Sequence, residues 1–122
     1  MLPENLSIRG IENEPVSGKQ CIDTARHEFY ALRLWVREHW RQGDKLNHNR
    51  NSYHLKHVVE KCIDRYVSNG ELIAAMILEG YKTLKIKPDP ELYEDAPPYN
   101  VVFNVDEESV VKTLQNNMQE SE

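Results

Sequence analysis

Apolar residues along the chain alternate between a helical and a strand period, and the switches mark the elements. From about Gly18, residues Ile22, Ala25, Phe29, Leu32, Val36 and Trp40 recur at three- and four-residue steps. That spacing predicts an amphipathic helix of about six turns, with Gly43 as its stop. Its outer face carries Arg26, Arg33, Arg37 and Arg41. A polar, asparagine-rich stretch follows, and Asn51 or Ser52 can cap a second helix from about Tyr53 to Tyr66. There Leu55, Val58, Val59, Cys62, Ile63 and Tyr66 form the predicted buried face, and His54, Lys56, His57, Lys61 and Arg65 the outer one. Ser68 three residues before Glu71 is a capping box, and Gly80 is a left-handed stop. Between them Leu72 to Leu78 leave no polar face, so this third helix is predicted to be buried all round.

After Gly80 the period falls to two. Leu84 and Ile86 alternate with Thr83, Lys85 and Lys87, and Val101, Phe103 and Val105 alternate again after a proline-rich acidic loop over 88–98. The two strands can pair as an antiparallel hairpin. Asp106 can cap a last helix whose apolar residues are Val110, Val111, Leu114 and Met118. The fold class expected is α+β: three helices containing a helix-turn-helix, then an antiparallel β-hairpin in winged-helix-like order, then a short C-terminal helix. Residues 1–17 show no period and read as a flexible arm, 18–118 as one domain, and 119–122 as a frayed tail.

Charge changes this picture by dividing the chain. The net charge of −5 conceals nine bases against five acids, with all five histidines, over residues 24–65, and four bases against eleven acids over 66–122. Two surfaces of opposite sign are therefore expected. No stretch has the length of a membrane span or the flanks of a secretory signal, so the reading is a cytosolic protein with no membrane partner. In that compartment Cys21 and Cys62, each among apolar residues, read as small core side chains rather than a disulfide or metal pair.

Candidate chemistry follows the charges. A DNA-reading third helix would need basic or amide side chains, but this one offers only Asn69, Glu71 and Glu79, and the would-be wing is acidic. The basic surface instead comprises Arg37, Trp40, Arg41, Lys45, His48, Arg50, Tyr53, His54, Lys56 and His57, interleaved with Asn47, Asn49 and Asn51. Cations mixed with aromatics and amides suit single-stranded or backbone-directed nucleic-acid binding. His48, His54 and His57 cluster without zinc-ligand spacing, so no metal is expected, and a pH-responsive contact face is the more natural use of free imidazoles. No phosphate loop, nucleophile elbow or cofactor motif occurs, so neither enzyme activity nor a cofactor is expected. The competing surface is the acidic loop with Glu91, Leu92, Tyr93, Glu94 and Asp95, which would suit a basic protein partner.

The segments Ser52-Tyr53-His54-Leu55-Lys56-His57-Val58-Val59-Glu60 and Tyr66-Val67-Ser68-Asn69-Gly70-Glu71-Leu72-Ile73-Ala74-Ala75 resemble a pattern in small uncharacterised proteins of phages and mobile elements. The resemblance implies a role in handling DNA, regulating genes or countering a host defence, and transfers no residue roles. Together these readings give two expectations. The first is a non-enzymatic protein that engages nucleic acid or a nucleoprotein machine through the basic face. The second is an adaptor or inhibitor of a nucleic-acid-binding protein that acts through the acidic loop.

Overall fold

The computed structural model describes residues 2–88 and 96–120. The third helix, α3 (Asn69–Leu78), forms for the reasons its sequence gives. The Ser68 hydroxyl accepts the Glu71 amide at 3.0 Å, and the Glu71 carboxylate accepts the Ser68 amide at 3.3 Å. At the far end Gly80 takes φ +92°, the Gly80 amide donates to Ile77 O and the Tyr81 amide donates to Met76 O. This is the paired Schellman closure. Leu72, Ile73, Ala74, Ala75 and Met76 are wholly buried.

The remaining elements wrap this helix. Helices α1 (His27–His39) and α2 (Ser52–Ile63) pack on it from two sides. Strands β3 (Thr83–Ile86) and β4 (Asn100–Phe103) pair antiparallel, with Thr83 opposite Phe103 and Ile86 opposite Asn100. The fourth helix, α4 (Glu107–Glu120), starts on Asp106, whose carboxylate accepts the Ser109 amide at 3.0 Å, and packs against α2. The fold is thus α+β, with helix, helix, helix, strand, strand, helix in that order after an N-terminal hairpin. Every residue of β4 is buried, whereas β3 is an exposed edge, because only β4 is flanked on its other side. Bridges from Asn51 to Val102, Gln42 to Val105 and Ile11 to Tyr99 close that side. Among the described residues no helix is long and apolar enough to cross a membrane.

Five expectations need correction. The N-terminal segment is not a free arm: Leu6–Ser7 and Gly10–Ile11 pair as a short hairpin, β1 and β2. Leu6 and Ile11 join the core, the Gly70 amide donates to Ile8 O at 3.0 Å, and Asn69 Nδ2 donates to Arg9 O at 3.0 Å. Strands of two residues are too short for any period to reveal. Helix α1 begins at His27, well after Gly18. Gly18–Gln20 is a 3₁₀ turn, Ala25 is exposed, and Arg26 at the cap position is extended. Helix α2 stops at Ile63 because Asp64 adopts φ +54°, which throws Tyr66 out of the buried stripe and leaves it 72% exposed. Cys21, expected in the core, is exposed, as is Met118 on the last helix. Helix α4 runs through residue 120, past the expected end of the domain, and residues 121–122 lie outside those described.

Candidate nucleic-acid interface

The structure separates the predicted basic face into an interior part, an internally neutralised part and an outward part. Trp40 belongs to the interior. It is 4% exposed, its Nε1 donates to Thr113 Oγ1 at 3.3 Å, and its ring meets Trp35 edge-on at 5.1 Å. Lys56 is also interior, which corrects its placement on the contact face. Its ammonium pairs with Glu60 at 3.2 Å. A buried ammonium persists only when paired and hydrogen-bonded.

Arg37 and Arg41 are exposed and Arg50 is largely covered, and all three are occupied by carboxylates. Arg37 Nε lies 2.7 Å from one Glu79 oxygen, and Arg33 Nε lies 2.9 Å from the other. Hydrogen bonding to Arg37, then to Arg33, outweighs burial and holds the Glu79 carboxyl below its usual range. Arg41 reaches Asp106 at 3.0 Å and Glu108 at 3.4 Å. Arg50 grips both oxygens of Glu107, with its closest approach 2.7 Å. That grip, opposed by desolvation and helped by the Asn47 amide, brings the Glu107 carboxyl down to about 2. These acids come from the acidic C-terminal half of the chain, so folding interleaves the two charge blocks.

The outward part is aromatic and imidazole. Helix α2 is capped by Asn51, whose Oδ1 accepts the His54 amide at 2.8 Å, and this sets which side chains leave the surface. Tyr53 is 53% exposed and meets the His57 ring edge-on at 4.7 Å. His57 Nδ1 lies 2.9 Å from the Glu60 carboxylate, whose second oxygen accepts the Val67 amide at 3.0 Å. Lys56 Nζ sits 5.5 Å from the Tyr53 ring centre and 5.0 Å from that of Tyr66. One buried cation therefore fixes two exposed rings at the surface. Sequence reasoning missed Tyr66. The available signal was the Ser68 cap, since a turn must intervene between one helix and the next and so end α2 before Tyr66.

His54 is partly buried, and that burial, reinforced by Arg50, lowers its pKa and favours the neutral ring. Lys45 and His48 stand exposed on the preceding loop, beside a groove of about 540 Å³ floored by Leu46 and Val105. Among the described residues neither Lys45 nor Lys61 has a carboxylate within ion-pair distance. No three His, Cys, Asp or Glu side chains among the described residues are grouped to hold a metal ion. The competing surface, Glu91, Leu92, Tyr93, Glu94 and Asp95, lies outside the described residues. Neither a family model, nor a curated protein, nor a solved structure matches the chain.

Proposed function

We propose that this is a non-enzymatic binding protein that holds single-stranded nucleic acid, alone or within a nucleoprotein, on the outer face of α2. Binding is through stacking more than through phosphate neutralisation. The observation that carries this reading is the pair of exposed rings, Tyr53 and Tyr66, held on either side of Lys56. Rings pinned before binding lose little freedom when a base stacks on them, and each such stack contributes about 1–3 kcal/mol. Arg37, Arg41 and Arg50 are engaged by acids, which leaves Lys45 and Lys61 as the ready phosphate partners on this face. With about two phosphates neutralised, the slope of log affinity against log salt is only about −1.4.

Fluorescence anisotropy with a labelled single-stranded oligonucleotide tests the reading. Tyr53→Ala is expected to weaken binding roughly tenfold, corresponding to one lost stack. A matched duplex should bind far less tightly. Equal affinity for duplex and single strand, or a Tyr53→Ala protein that binds normally, rejects the stacking surface. If no oligonucleotide binds, and charge reversal at Glu91, Glu94 and Asp95 releases a protein partner instead, the acidic-loop reading replaces this one.

A further inference from the structure

Beside Tyr66 the surface folds into a cleft of about 350 Å³ that three cations from separate parts of the chain line. Lys19 comes from the 3₁₀ turn, Arg26 from the residue ahead of α1, and Arg65 from the turn between α2 and α3. We propose that this cleft binds a phosphomonoester, either the terminal phosphate of a strand lying on the tyrosines or that of a free nucleotide. The strand is the one inferred above; the cleft itself stands on its own residues.

The donors there are available. Lys19 has no partner among the described residues. Arg26 is only 3.5 Å from Glu28, and both side chains are about half exposed, so the pair is weak and exchangeable. Arg65 spends one of its five N–H groups on the Glu28 carbonyl oxygen at 2.6 Å and keeps the rest. Two carboxylates share the wall, and each already serves the backbone. Asp23 accepts the Ala25 amide at 3.1 Å, and Glu71 accepts the Ser68 amide. The α3 amides nearby are spent on Ser68 Oγ and Ile8 O, so the helix end adds nothing and the side-chain cations carry the site. A dianionic monoester is the suitable ligand. It accepts charge-assisted hydrogen bonds from a guanidinium fork and an ammonium at once, while Tyr66 at the rim offers its ring to the attached base.

The test compares hexanucleotides bearing a phosphate at the 5′ end, at the 3′ end or at neither, with inorganic phosphate and a nucleoside 5′-monophosphate as separate arms. At least one phosphorylated strand should bind about tenfold tighter than the strand with neither. Lys19→Gln and Arg65→Gln should each reduce that preference and leave affinity for the unphosphorylated strand unchanged. Lys19→Gln breaks no described contact, so its melting temperature should match that of the parent protein. Equal binding of all three strands, or a preference that survives in the double variant, overturns the cleft and leaves the tyrosine surface intact. If no strand binds but phosphate or the mononucleotide shifts the amide resonances of Lys19 and Arg65, the cleft stands and the strand reading falls. If neither shifts them, both fall.

Discussion

Replacing Gly70 with alanine sets two physical effects of opposite sign against each other. Gly70 is the second residue of α3, and in an isolated helix alanine would stabilise that position by up to about 1 kcal/mol. In this fold a Cβ on Gly70 would overlap the Ser7 carbonyl oxygen and stand 2.7 Å from Ile8 Cα. Both neighbours are backbone and cannot rotate away, so the N-terminal hairpin must shift off α3. That threatens the burial of Leu6 and Ile11, worth about 1.5–3 kcal/mol for each fully buried side chain. It also threatens the hydrogen bonds from the Gly70 amide to Ile8 O and from Asn69 Nδ2 to Arg9 O, at about 1 kcal/mol apiece. Partial relaxation keeps some of this, and the helix gain offsets more, so the expected net loss is about 2–4 kcal/mol. For a chain of this size that lowers the melting temperature by roughly 10 °C. Urea unfolding followed by circular dichroism measures it. Gly18→Ala is the control, because Gly18 has φ +66° but nothing within 4 Å of an added Cβ, so only backbone strain of about 1 kcal/mol applies. A Gly70→Ala protein as stable as the parent, or more so, refutes the docking of the hairpin against α3.

Two further outcomes are expected. The Glu107 carboxyl titrates at about 2 in the fold against an ordinary 4.5, so its contribution is fully present above pH 4.5 and disappears as the pH falls toward 2. The side chain is nearly half exposed, so screening limits that contribution to about 1 kcal/mol. Thermal melts of the parent and Glu107→Gln should differ at pH 6, and the gap should narrow steadily from pH 4.5 toward pH 2; a constant gap contradicts the assignment. Glu79→Gln removes the one carboxylate shared by Arg33 and Arg37, a side chain only 8% exposed, and should cost about 1–2 kcal/mol in urea titrations. No change in midpoint would mean that these pairs behave as ordinary surface pairs.

Local chemistry was the most legible part of the sequence. The Ser68 box, the Gly80 stop and the uninterrupted apolar run each act within a few residues, and α3 matches them. The strand alternation located β3 and β4 for the same reason. Long-range partners were not legible. Lys56 was read as outward because lysine is rarely buried, yet Glu60 one turn later compensates its charge. Trp40 follows the apolar stripe of α1 into the core, where Thr113 takes its N–H, so its proximity to basic residues in sequence misled the site assignment. Arg37 and Arg41 do face outward, whereas the Arg50 side chain is only 16% exposed. Their neutralisation depends on Glu79, Asp106, Glu107 and Glu108, which lie 42 to 67 positions away along the chain. The N-terminal hairpin left one trace, the Asn69-Gly70 pair, which reads as a turn but marks a close backbone approach.

Strand β2 meets the far end of the chain where Ile11 bridges Tyr99, and the order of synthesis gives that contact a consequence. A ribosome releases the first hairpin long before its landing place exists. Leu6 and Ile11 therefore stay wet until most of the polypeptide has emerged, and the cost of closing so large a loop falls on the last stage of assembly. Any fragment that stops short of residue 99 is made with the Ile11 edge of its earliest strands unpaired.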